Sequence, residues 1–413
     1  MRPITIILAA GAVLLLSTGL RSAMGFFVSP IAADLGLTIG AVAFAIALHQ
    51  LLWGLLQPVA GMCNDRWGAS PVAATGALAM AAGLLVAAHA STHWQILLGI
   101  GVLFGAGLAC TSFGILSATG ARLVSPASRS QVLGLIAASG ALGQVVISPL
   151  AAPMIAAFDW RGAAEAMAAL ALLGLPLAWL VGRRATVPPV PVSTSPSPSA
   201  GASPGPLAET LRATLARAFR DPSYLLLNLG FFVCGFQIAF VVTHLPTYLA
   251  TCGIAPAVAA QAIGLIGLTN AVGSYAAGWL GGRYRRKFLL SGLFAVRTAA
   301  IAAFVILPVT PTTTILFGMT LGIVWLGTAP LTGGLVGEMY GLKNMGTLYG
   351  IVFLSHQLGS FSGSWLGGVA YDVTASYSVM WAVMLCLGVL ATLLHLPINE
   401  PRRAQSSRRA APA

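Results

Sequence analysis

The chain has 413 residues, of which 57% are hydrophobic and 7% charged, against roughly a quarter charged in soluble domains. So few charges cannot clothe the surface of a soluble protein of this size, which leaves an integral membrane protein of the all-α class. The net charge is +12, but the arginines fall in short runs between apolar stretches, with no basic groove interleaved with aromatics, so nucleic acid is excluded as a partner and the lipid bilayer takes its place.

Crossing a bilayer takes about 20 apolar residues per helix. On that scale the chain predicts twelve spans, at 5–29, 40–62, 71–90, 95–118, 130–157, 162–181, 223–249, 257–280, 288–307, 312–335, 345–370 and 375–396. Residues 1–24 have the outline of a signal peptide, yet the apolar run continues through Met24-Gly25-Phe26-Phe27-Val28, so a retained first span is expected. Between the sixth and seventh spans the composition changes. Residues 188–206 hold seven prolines among serines and glycines and cannot build a core. After them Leu207, Leu211, Leu215 and Phe219 recur every four residues, with Arg212, Arg217 and Arg220 on other faces. That is the pattern of a basic amphipathic helix on a membrane surface, or of an ordinary solvated helix. The expected organisation is an N-terminal six-helix bundle (1–182), a cytoplasmic linker (183–221), a C-terminal six-helix bundle (222–398) and a basic tail (399–413).

The two halves repeat. Gly134, Ser139, Leu142, Gly143 and Ser148 of the fifth span match Gly350, Ser355, Leu358, Gly359 and Ser364 of the eleventh, 216 residues later. Two pseudo-symmetric bundles related by an axis along the membrane normal follow. Of the 21 Lys and Arg, all but Arg21, Arg161 and Arg297 fall at the termini or in loops on one side. That places both termini and the linker in the cytoplasm.

With these features the chain resembles the major facilitator superfamily. Gly61-x-x-x-Asp65-Arg66-x-Gly68 after span two looks like that superfamily's loop signature. A reduced copy after span eight keeps Gly278 and Arg283 but has Gly282 where Asp65 stands. The stretches at 19–27, 234–249 and 353–368 are most similar to the bacterial branch related to monocarboxylate transporters and oxalate–formate exchangers. The resemblance implies a secondary carrier of small organic anions, with proton coupling or exchange, working by alternating access in the cell (inner) membrane. It also implies that Gly61, Asp65, Arg66, Gly68 and Arg122 form a conformational latch at the cytoplasmic mouth.

Arg21 is the residue that most needs an explanation. It lies 16 residues into the first span, about 24 Å along the helix, on a small polar stripe with Ser17, Gly25 and Ser29. Arg297 is also mid-span. The nine acids are Asp34, Asp65, Asp159, Glu165, Glu209, Asp221, Glu338, Asp372 and Glu400, and none falls near a midplane; Glu165 reads as the partner of Arg161. A buried cation without a counter-charge is costly. The missing complement is most simply an anionic substrate, for which a planar guanidinium suits a carboxylate. Gln50, Asn270, Trp325, His356 and Gln357 are the polar or amphipathic residues expected beside Arg21 and Arg297. His356 stands where the first half has Gly140, and His356 and His244 are the coupling candidates, since a histidine titrates near neutral pH. Arg297 has a second reading, bonded to carbonyls as a brace between helices, and His244 a second reading as packing.

Cys63, Cys110, Cys234, Cys252 and Cys386 form no C-x-x-C pair, so no metal site, cofactor or enzymatic constellation is expected. A monomer is expected. Two other functions remain open: efflux of amphipathic compounds, and an anion sensor that moves nothing.

Overall fold

The computed structural model describes residues 3–124, 129–182, 211–325, 327–341 and 345–400, and every element in them is helical. Helix α1 is Pro3–Leu35, with a tighter turn at Met24–Phe27. α2 is Ile39–Trp67 and α3 is Ala69–Ala88. α4 covers 93–122 and breaks at Thr111 and Ser112. Arg129–Leu172 is helical except at Asp159 (φ 57°, ψ −179°), where the chain reverses and divides α5 (129–158) from α6 (160–182). Then follow α7 (Leu211–Arg220), α8 (Pro222–Thr251), α9 (Pro256–Gly281), α10 (Arg286–Ile306), α11 (Pro311–Tyr340), α12 (Met345–Thr374) and α13 (Ser378–Leu394).

Nine segments of the described residues are long and apolar enough to cross a membrane, one of them the 51-residue stretch that Asp159 divides. α12, which is richer in Gly and Ser, and the 17-residue α13 stand at the eleventh and twelfth predicted spans. The ends of the helices follow from capping chemistry. Gly36 (φ 62°) closes α1 in the left-handed conformation, with Leu37 N–H bonded to Ala32 O at 2.9 Å. Gly68 (φ 85°) alone joins α2 to α3, a conformation that costs a glycine little and a side chain more. Asp221 caps α8 ahead of Pro222.

Each half is held by a glycine seam, and the two seams are repeat mates. A Cβ on Gly143 of α5 would collide with the Leu15 carbonyl of α1, and one on Gly359 of α12 with the Phe232 carbonyl of α8. Gly359→Val is therefore expected to cost about 3 kcal/mol or more through overpacking against backbone. Gly350→Val, on the same helix with no heavy atom within 4 Å of the site of a Cβ, is expected to be silent. Melting temperature and size-exclusion profile in detergent check the pair.

Between the halves the contact is closest at the end holding the α1–α2 and α12–α13 turns. There Asp372 accepts from Ile39 N (3.0 Å) and Gly40 N (2.8 Å) at the start of α2, where the helix dipole favours a carboxylate. Ser29 Oγ meets Thr247 Oγ at 2.9 Å. The seam continues through Phe44 against Phe361 and Trp365, and through Gln144 Nε2 donating to Ile263 O at 3.0 Å. Toward the signature end it loosens: Gly61, Gly134, Gly278 and Gly350, one on each seam helix, face open space.

One expectation needs correction. Arg161 pairs with Asp34 at 2.8 Å and donates to Ala88 O and Ala90 O, whereas Glu165 faces His89 at 3.6 Å. The chain reversal at Asp159 turns Arg161 toward the α1 and α3 ends instead of along its own helix. On α7, Ala218 is buried while Phe219 is exposed. Arg217 lies over the Tyr340 ring at 5.4 Å, so α7 rests against α11 as well as presenting a basic face.

Candidate functional site

Arg21 and Gln237 occupy equivalent places in the repeat, each two residues after a glycine, Gly19 or Gly235, that fits against the α5 or α12 backbone. Their surroundings differ. Gln237 is buried, donates to Met384 O at 3.0 Å and accepts from Arg297 at 3.4 Å. Arg21 is only partly buried and makes no ion pair among the described residues; its guanidinium lies over the Trp53 ring of α2, 5.3 Å from the centroid. Such a cation–π contact retains the positive charge. No carboxylate of the described residues pairs with Arg21 or Arg297.

From Trp53 an aromatic arch crosses between the halves. Trp53 meets Phe353 of α12 edge-on at 5.6 Å, and Phe353 lies parallel to the His356 ring at 6.0 Å. Phe231 of α8 also lies against the His356 ring, tilted at 4.9 Å, and Tyr349 stands 6.4 Å from Phe231. Under the arch His356 Nδ1 meets Gln357 Oε1 at 3.0 Å, while Gln357 Nε2 donates across the seam to Gln50 O at 2.7 Å. Several buried polar atoms have no protein partner: Gln50 Oε1, Trp53 Nε1, Gln57 Oε1 and both ring nitrogens of His49, which packs edge-on against Phe104. Buried polar groups are normally satisfied by protein, water or ligand.

The structure joins Gln50, His356 and Gln357 directly, and Arg21 to them through the Trp53 and Phe353 rings. Four other predicted residues have different surroundings. Arg297 is fully buried and donates to the Val324 and Trp325 carbonyls at 2.6 and 2.9 Å, and to Cys234 and Gln237 at 3.4 Å each. These carbonyls are released where α11 breaks after Ile323, so Arg297 braces that break. Trp325 is buried at the same break. His244 uses both ring nitrogens, to Tyr377 Oη at 3.1 Å and Ser364 O at 2.7 Å, which is the packing role. Asn270 accepts from Ser274 on its own helix at 3.1 Å. Of the latch, Gly61 and Gly68 are placed as above and Arg66 lies over Trp67 at 5.6 Å; the side chains of Asp65 and Arg122 lie outside the described residues.

Sequence reasoning missed Trp53 and Phe353. One signal was present: His49, Trp53 and Gln57 recur every four residues and so share a face of α2. A cleft of about 450 Å³ at the signature end lies between Trp67, Ser70, Pro71, Thr119 and Trp179, with no charged residue in its lining among the described residues. Among the described residues no cluster with the make-up of a metal site occurs.

The described residues form an all-helical bundle whose two halves meet along a seam, with nine segments long and apolar enough to cross a membrane. The sequence profile of the Major Facilitator Superfamily matches residues 9–361, and the chain belongs to that superfamily: it is a multi-pass membrane transporter of small molecules, not an enzyme. It is 27% identical over 367 residues to monocarboxylate transporter 13 of Bos taurus, covering 84% of this chain and 80% of that one. It is 24% identical over 401 residues to the uncharacterized MFS-type transporter YcxA of Bacillus subtilis (strain 168), covering 94% and 93%. Among solved structures, a bacterial homolog of the human lysosomal transporter Spinster, inward-facing and unoccupied, superposes with a TM-score of 0.71 at 14% identity, covering 96% of this chain and 94% of that one. That likeness concerns the fold.

Proposed function

We propose that this transporter carries small monocarboxylates across the cytoplasmic (inner) membrane by alternating access, as a monomer with both termini in the cytoplasm. The observation that carries the reading is Arg21: a partly exposed guanidinium at membrane depth, with no acidic partner among the described residues. A carboxylate supplies the missing charge and accepts two parallel N–H bonds. Trp53 and Phe353 then bound a short apolar body, with His356, Gln357 and Gln50 as its polar edge. Two relatives named monocarboxylate transporters support the cargo class. The halves, 1–182 and 222–398, rock about this site, joined by the 183–221 linker and followed by the 399–413 tail. The seam, closed at one end and loose at the other, fits one extreme of such a cycle. Gly61, Asp65, Arg66, Gly68 and Arg122 act as the latch that shuts the loose end.

Counterflow in proteoliposomes tests the cargo. Vesicles preloaded with unlabelled lactate, pyruvate or benzoate are expected to draw in the radiolabelled form of the same acid, with succinate and lactamide competing weakly. The aromatic arch favours one rival, export of amphipathic cations. Transport of ethidium with none of the three acids would establish that rival and overturn this proposal; binding of an acid without flux would make the protein a sensor.

A further inference from the structure

A helix begins with backbone N–H groups that have no partner inside it. At the start of α2 these donors are shared between the two halves of the molecule. Thr38 Oγ1, from the same half, accepts from Ala41 N at 3.1 Å. Ile39 N and Gly40 N donate instead to the two carboxylate oxygens of Asp372, at 3.0 and 2.8 Å, from the end of α12. Asp372 reaches them because glycines let the two backbones touch. A Cβ on Gly40 would stand 2.5 Å from Asp372 Oδ2, and one on Gly368 would stand 2.6 Å from Gly40 Cα.

The other acids with described side chains bond inside their own half: Asp34, Asp159 and Glu165 in the first, Asp221, Glu338 and Glu400 in the second. Asp372 makes no ion pair among the described residues, is exposed to solvent, and has both of its hydrogen bonds across the seam. Its attachment therefore exists only while the halves meet at this end.

We propose that Asp372 is a releasable latch: it grips the start of α2 while the signature end is open, and lets go as that end shuts. The inference rests on the alternating-access reading above and not on the identity of the cargo. Release is reversible because the carboxylate is exposed, so water replaces the two N–H groups as they leave. The dipole of α2 favours its return. The two helices run antiparallel, Asp372 beside Gly40 and Gln357 beside Gln50, so their N-termini lie at opposite ends of the seam. Asp65 stands two residues before the end of α2, and Asp372 two residues before the end of α12. Each helix thus carries an acid toward the other's N-terminus, and Asp372 is the far-end counterpart of the signature acid.

Hydrogen–deuterium exchange of the purified carrier tests this without a cargo. In Asp372→Asn and Asp372→Ala the ratio of forms open at this end to forms open at the signature end is expected to rise roughly tenfold, as for the loss of one bond to a charged acceptor. Peptides spanning 27–36 and 245–256, which contain neither Ile39 nor Gly40, are then expected to exchange faster than in wild type, and those spanning 59–68 and 345–353 more slowly. Faster exchange confined to 38–48, or faster exchange at both ends, would make Asp372 a plain helix cap and overturn the latch. Thr38→Ala weakens the same helix start from its own half and is expected to speed exchange at 38–48 alone; slower exchange at the signature end in this variant would also overturn the latch. A second arm addresses alternation itself. Ser29→Cys with Thr247→Cys, whose parent hydroxyls lie 2.9 Å apart, bridges this end on oxidation, with oxidised wild type as the reference. Added to Asp372→Asn, the bridge is expected to return the signature end to wild-type exchange. Slow exchange persisting there would overturn alternating access, and this inference with it.

Discussion

Arg21→Gln is expected to leave the carrier folded and nearly unable to move carboxylates. A hydrogen bond to a charged partner is worth about 1.5–3 kcal/mol, so losing the guanidinium lowers exchange at subsaturating acid by roughly 10- to 150-fold. Arg21→Lys keeps the charge but not the planar fork, and falls between. Arg21→Gln should be nearly as stable as wild type, because the guanidinium holds no carbonyl and no acid in the described structure and gives up only its contact with the Trp53 ring. Initial rates of lactate counterflow, set beside melting temperature, check both halves of this expectation. Normal exchange by Arg21→Gln would remove Arg21 from the site.

Arg297→Ala is expected to do the reverse, failing at folding before function is reached. The substitution leaves the Val324 and Trp325 carbonyls without their donor at the α11 break, together with Gln237 Oε1 and the Cys234 thiol. Removing one side of a buried charged network costs about 3–5 kcal/mol, a large part of the stability of most proteins. Arg297→Lys restores the charge with a single nitrogen, which cannot serve all these acceptors, and should recover part of the loss. The yield of monodisperse protein and its melting temperature are the readouts. A well-folded Arg297→Ala protein that binds no carboxylate would return Arg297 to the cargo site.

The two arginines show where the sequence was legible. Spans were readable because a bilayer demands long apolar runs, and the repeat was readable because matched glycines such as Gly143 and Gly359 are needed wherever backbones touch. The gap between the fifth and sixth spans was readable too, but not that a single residue, Asp159, makes the whole reversal. Arg21 was readable from the acids missing around it. Arg297 kept two readings because its acceptors are backbone carbonyls, freed by a break in α11 that the apolar run from 312 to 335 conceals. His244 was ambiguous for the same reason, with a carbonyl and a tyrosine from α12 and the start of α13 as partners. Trp53 escaped notice because a tryptophan in an apolar run reads as lipid-facing or core. Only the placement of Arg21 over its ring gives it a role.

The central claim is that Arg21 awaits a negative charge that the protein does not supply. Thermal unfolding of the purified carrier with lactate, or with its neutral isostere lactamide, tests it most directly. Lactate is expected to raise the melting temperature of wild type in a concentration-dependent manner and to leave Arg21→Gln unmoved, with lactamide inert toward both. Equal stabilisation by lactamide, or of Arg21→Gln by lactate, would contradict the account.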